Sequence, residues 1–397
     1  MTNLKKQAIS VVTAGAMLLQ LAGPAFAATT IEISGNGSGS TSDVNVESNN
    51  NTNVDQNNDA DVNNNINVNS DTGNNDANGN VGGKVEIETG DATANVSANT
   101  AANVNQAAVN NCCANGDTDV KVSGNGENSD NEVELDFDND FDLDQDNDAD
   151  VDNDVDVDAN TGDNDANDNV GGNVKVKTGK THATVTLSTA ANVNSATFGG
   201  GNGNGGKISA WITGNGSDSD NEIELDFDYD VELDQDNDAD VDNDVDVDGD
   251  TGDNDANDNV GGDVVIETGE ATAFVSADTL VNFNGADVDG CGCVTDLTGK
   301  ISGNGSDSDN EIDYDTESEV DVDQDNDADV DNDVDVDAET GDNEAEDNVG
   351  PAGTDPSIKT GKTHADVEAN TAANTNMFGE SLDFEWDWDD LFDMLGL

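Results

Sequence analysis

Over residues 222–248 every even-numbered position is acidic, fourteen in succession. The positions between them are Ile223, Leu225, Phe227, Tyr229, Val231, Leu233, Gln235, Asn237, Ala239, Val241, Asn243, Val245 and Val247. Alternation with a period of two predicts a β-strand with one buried face and one solvated face. A helix would scatter the same acids around its surface, where they would repel one another. One unbroken strand of this length would span about 90 Å. Corners are therefore expected where the odd face turns polar, at Gln235, Asn237 and Asn243, with further turns over 249–252 and 261–262.

The pattern occurs four times. QDNDADVDNDVDVD begins at Gln145, Gln235 and Gln324, and a softened copy, QNNDADVNNNINVN, begins at Gln56, so the steps are 89, 90 and 89 residues. The S/T-G-N-G turns at Ser34, Ser123, Thr213 and Ser302 keep the same step, as do the T-G-[DN]-N turns at Thr72, Thr161, Thr251 and Thr340. Copies 2 and 4 share TGKTHA, at 178–183 and 360–365, where copies 1 and 3 read TGDATA and TGEATA, an A-B-A-B order. Inside a copy, Gln235, Gly252 and Gly269 each open a [QG]-x-[NA]-x-A segment, 17 residues apart, and the longest such step is 21.

Stacked short repeats are the mark of a solenoid. The expected fold is all-β: an elongated parallel β-solenoid of four ~90-residue repeats, each of about five rungs of 17–21 residues. Small inward residues favour a narrow, two-layer coil, and about twenty rungs would make a rod near 95 Å long. The expected divisions are 1–27 (signal peptide), 28–122, 123–212, 213–301 and 302–377 (the repeats), and 378–397 (an aromatic tail). Two alternatives stand beside this one. Tandem β-sandwich domains would need a larger core than 34–122 offers, a stretch with no aromatic residue. A cation-dependent disordered chain would suit the high net charge and sparse aromatics.

Charge sharpens the picture. There are 90 acidic residues against 11 lysines and no arginine, for a net charge of −79. Such a chain cannot neutralise nucleic-acid phosphates, and an anionic membrane surface repels it. Lys5 and Lys6, an apolar stretch over 8–22, and Ala25-Phe26-Ala27 read as a secretory signal with its cleavage site. No later stretch is long and apolar enough to insert in a membrane. The expected location of the mature chain is therefore extracellular or at the cell surface.

The Asp-rich faces suggest calcium, which takes six to eight oxygen ligands. The candidate ligands are Asp146, Asp148, Asp150, Asp152 and Asp154, then Asp236, Asp238, Asp240, Asp242 and Asp244, then Asp325, Asp327 and Asp329. Asp218 and Asp307 join them from the glycine turns. The EF-hand spacing is not met: Asp246-x-Asp248-x-Asp250 is followed by Thr251 where that loop needs glycine. Weak Ca²⁺ binding at many places is expected, more in repeats 2 to 4 than in repeat 1, which has Asn at several outward positions.

Two resemblances bear on these residues. Gly214-Asn-Gly216-Ser-Asp218, repeated at Gly303, Gly305 and Asp307, resembles the calcium-binding turn of RTX β-rolls, although Thr213 stands where the first glycine would. Gln235 with Asn237-x-Ala239-x-Val241-x-Asn243 resembles the inward register of curlin repeats. The first resemblance implies calcium at the turns. The second implies an extracellular subunit built of stacked rungs.

Cys112 and Cys113, with Cys291 and Cys293, are disulfide candidates in a secreted chain, either within loops or to another chain. His182 and His364 lie in TGKTHA, which lacks the upstream glycine of a phosphate-binding loop, and no nucleophile–base set is apparent, so no enzyme is expected. In the tail, Trp386, Trp388, Leu391 and Phe392 would cap the last rung or dock on a partner. The function expected is a secreted structural component of a cell surface, extracellular matrix or filament, with self-association or other surface proteins as partners. The alternative is an acidic ion-sequestering polymer, disordered until loaded with cations.

Overall fold

The computed structural model describes residues 4–22, 28–110, 117–199, 207–288 and 296–379. The cysteine pairs and residues 380–397 of the aromatic tail, with Trp386, Trp388, Leu391 and Phe392, lie outside the described residues. After β1 (Leu4–Ala22), the chain makes four equivalent turns of a coil. The first rung is β2 (Thr29–Ser34), β3 (Thr41–Asp71), β4 (Val85–Glu88) and β5 (Ala92–Asn110). The second is β6 (Thr118–Ser123), β7 (Asp130–Asn160), β8 (Val174–Lys177) and β9 (Thr181–Phe198). The third is β10 (Lys207–Thr213), β11 (Asp220–Asp250), β12 (Val264–Glu267) and β13 (Ala271–Val288). The fourth is β14 (Asp296–Ser302), β15 (Asp309–Glu339), β16 (Ser357–Lys359) and β17 (Thr363–Phe378).

Every strand pairs in parallel with its counterpart one repeat away, giving the sheet orders β15-β11-β7-β3, β14-β10-β6-β2, β16-β12-β8-β4 and β1-β5-β9-β13-β17. The parallel β-solenoid is therefore the fold. Its rung, however, is the whole 89- or 90-residue repeat: Gln235 pairs with Gln145 and Gln324, not with a residue 17 positions away. The 17-residue recurrence joins places of different kind. Gln235 is in mid-strand, while Gly252 and Gly269 each sit at a corner outside the strands. Four rungs at about 4.8 Å span about 14 Å, while a 31-residue strand runs about 100 Å, so the stack is a broad plank and not a 95 Å rod.

Each rung has two walls. The long strand forms one wall, and β5 with the following β6, or their equivalents, forms the other. Val133, Leu135 and Phe137 pack against Val120 and Val122, and Phe141 and Leu143 pack against Val109. Farther along, Val155 and Val157 meet Ala183 and Val185. The alternation reads as expected, since β11 is exposed and buried by turns along nearly its whole length.

The expected corners at Gln235, Asn237 and Asn243 do not exist: β11 runs through all three, and each is fully buried. Amide columns make this possible, because identical amides one rung apart satisfy one another without water. Gln145 Nε2 donates to Gln56 Oε1, Gln235 to Gln145 and Gln324 to Gln235, each at 2.7 Å. Asn58, Asn147 and Asn237 donate up the stack to the next Asn, at 3.1, 3.0 and 2.9 Å. They also donate across the core to Asn105, Asn194 and Asn284, at 2.8, 2.7 and 2.6 Å.

Gln235→Leu should cost about 3 kcal/mol, because it strips the acceptor from Gln324 and the donor from Gln145 and the Gly285 carbonyl. A denaturant midpoint equal to that of the unaltered chain would show that the column contributes nothing.

Candidate functional site

The outward residues of the long strands form an acidic wall. Parallel register sets like beside like: Asp146, Asp236 and Asp325 form one row, Asp148, Asp238 and Asp327 the next, and Asp150, Asp240 and Asp329 a third. Asp152 and Asp154 stand beside Asp242 and Asp244 in the same way. Neighbouring carboxylates about 5 Å apart repel by about 1 kcal/mol even in water. No lysine lies in β7, β11 or β15 to relieve this.

The carboxyl groups respond to partial burial first and to their charged neighbours second. Partial burial, then the charges of Asp158, Asp337 and Glu339, pushes Asp248 up to about 6. Asp250 is pushed up to about 6 by burial, against the Gly252 amide that donates to it. Burial, then Asp140, raises Asp138 to about 6. Asp146, Asp148, Asp236 and Asp242 are raised by desolvation first and then by their row neighbours.

Rung 1 differs. Its Asn53, Asn63, Asn65, Asn67 and Asn69 donate from Nδ2 to Asp142, Asp152, Asp154, Asp156 and Asp158, at 2.7, 2.8, 2.6, 2.7 and 2.8 Å. An amide keeps the size of Asp and turns repulsion into a charge-assisted hydrogen bond.

Asp218 and Asp307 are apart from the wall. They occupy the left-handed region at the S/T-G-N-G turn, with φ of 54° and 59°. Asn128 and Gly39 take the same conformation in the other rungs, so the position selects residues that tolerate positive φ. Among the described residues no three His, Cys, Asp or Glu side chains converge as a chelating group. The wall offers open rows in place of closed cages.

An acidic groove that the sequence reading did not single out lies at the T-G-[DN]-N corner. Asp163, Asp253 and Asp342 line it with Asp165, Asp255 and Glu344, around an open space of about 750 Å³. Burial, then Asp163 and Asp342, raises Asp253, and burial, then Asp165 and Glu344, raises Asp255. The signal for this groove was the step of 89 or 90 between the corner turns, which lines up their acids once the rung is known to be a whole repeat.

On the short β4/β8/β12/β16 face the charge alternates from rung to rung. Glu86 and Glu88 of rung 1 face Lys175 and Lys177 of rung 2. Rung 3 brings Glu267 and rung 4 Lys359. Lys177 Nζ is 3.1 Å from Glu88 and Lys175 Nζ is 2.7 Å from Glu267, while Lys180 pairs with Glu270. His182 Nδ1 lies 2.9 Å from Thr272 Oγ1, and its ring meets Phe274 edge-on, a packing contact.

Comparison with protein-family models, with curated proteins and with solved structures gives no match to this chain.

Proposed function

We propose that the chain is a secreted, non-enzymatic structural component of a cell surface, extracellular matrix or filament, and that its acidic wall gathers divalent cations, Ca²⁺ above all. The observation that carries this reading is the register that puts Asp beside Asp on three successive rungs with no lysine on that face. A divalent ion held between two rows removes the repulsion of both. Open rows with water completing the shell suit weak, shared sites. The apolar stretch ending at Ala25-Phe26-Ala27 supports export.

Calcium at millimolar levels should raise the melting temperature of residues 28–397 by about 5–10 °C over sodium chloride of equal ionic strength. Calorimetry should show many weak sites. Equal melting in both salts would sink the cation reading. Loss of the strand signal in circular dichroism when the ion is chelated would favour the disordered, ion-sequestering polymer.

A further inference from the structure

The two ends of the stack are complementary, and we propose that a second copy of this chain stacks head-to-tail, its rung 1 on rung 4 of the first, to give a polar, open-ended assembly. Three independent features point to this order.

The first is the alternating charge. Four rungs in A-B-A-B order leave Glu86 and Glu88 at one end and Lys359 at the other. Head-to-tail contact continues the alternation, with Lys359 of one copy beside Glu88 of the next. Head-to-head contact sets Glu on Glu, and tail-to-tail sets Lys on Lys.

The second is the acidic wall. Rung 4 presents Asp325, Asp331, Asp333, Asp335 and Asp337, in register with the Asp residues of rung 3. The matching residues of rung 1 are Asn57, Asn63, Asn65, Asn67 and Asn69, which already donate to the Asp rows of rung 2. Only rung 1 gives a fifth rung on this wall that adds no like charge at these five rows.

The third is the amide columns, which have a direction. The Gln column donates toward rung 1, so a following Gln56 would donate to Gln324 as Gln324 donates to Gln235. The Asn column donates toward rung 4, so Asn326 would donate to a following Asn58 as Asn237 donates to Asn326.

Among the described residues rung 4 also leaves apolar surface exposed: Tyr314 is 53 % and Phe378 56 % exposed. A heterologous contact of this kind does not close on itself. One edge is taken in the uncleaved chain, because β1 pairs with β5. The proposal therefore rests on the secreted reading, in which removal of 1–27 frees that edge.

Two glycines supply the test. A Cβ on Gly37 at one end, or on Gly341 at the other, meets nothing within 4 Å, whereas in the interior a Cβ on Gly252 would lie 2.2 Å from the Gly341 carbonyl oxygen. Residues 28–397 at about 100 µM in chelator should sediment as long assemblies. Carbodiimide should join Lys359 to Glu88, a pair three rungs apart within one copy and so beyond zero-length reach. Gly37→Ala and Gly341→Ala should each keep the monomer's melting temperature and lower association at least about tenfold.

Replacing the five Asn of rung 1 by Asp, the residue rungs 2 to 4 already carry there, should abolish assembly in chelator and allow it in calcium. Folded monomers of the unaltered chain at that concentration, or assemblies without the Lys359–Glu88 link, would overturn the proposal and leave the calcium reading standing. Assembly in chelator with no rescue of the Asp variant by calcium would sink the cation reading alone.

Discussion

Gly162→Ala should cost the fold about 4 kcal/mol or more, the largest single-residue effect expected. A Cβ at Gly162 would lie 2.0 Å from the carbonyl oxygen of Gly252 on the next rung. That oxygen accepts from the Asp163 amide at 3.3 Å, and Asn164 below it is tied to the Thr161 and Gly162 carbonyls and to Asn254. Both sides of the contact are backbone, so no side chain can yield, and relief requires rungs 2 and 3 to separate at the corner. Gly341→Ala, the same motif position on the open rung, is the control and should leave the melting temperature where it is. Chemical denaturation of both variants checks this. Equal midpoints for Gly162→Ala and Gly341→Ala would mean that the glycine column is not in contact.

Lowering the pH from 7.5 to 5 in chelator should raise the melting temperature by about 5 °C, against the usual acid destabilisation. Partial burial first, and crowding by like charges second, raise Asp138, Asp248 and Asp250 to about 6 and also raise Asp144, Asp146, Asp148, Asp234, Asp236 and Asp246. The unfolded chain has ordinary carboxyl values near 4, so between about pH 4 and 6 the folded chain binds more protons. Stability therefore falls as the pH rises through 6, and the penalty is absent below 4.

Glu86, Glu267 and Glu270 work in the other direction, held low by hydrogen bonds from Lys84, Lys175 and Lys180, but they are fewer. The wall is solvated and salt screens it, so the rise should shrink as sodium chloride is added. A melting temperature that falls between pH 7.5 and 5 would contradict the crowded wall.

On the cation reading proposed above, calcium and low pH would act on the same groups by different means. Saturating calcium should flatten the pH dependence, since an ion bridging two rows replaces the proton that would otherwise neutralise one of them.

Much of this was legible one residue at a time. The alternation from Ile223 to Val247 told which side chains enter the core, and they do. The steps between the Gln, S/T-G-N-G and T-G-[DN]-N markers told how many equivalent units there are, because equivalent places in a solenoid keep equivalent residues. The inward Gln and Asn misled, because alone each is a buried polar group that needs water or a corner.

What the sequence by itself determined is the class of fold, the face each side chain takes and the sign of the outer surface. All three follow from local alternation and composition. What only the tertiary structure decided is which residue lies beside which. Whether a rung is 17 or 90 residues long depends on whether Gln235 can share its amide with Gln145 and Gln324, a contact between chain segments 89 or 90 residues apart. From that one choice follow the Asp rows, the corner groove and the alternating Lys and Glu. Each is a relation across rungs, and no window along a single strand contains it.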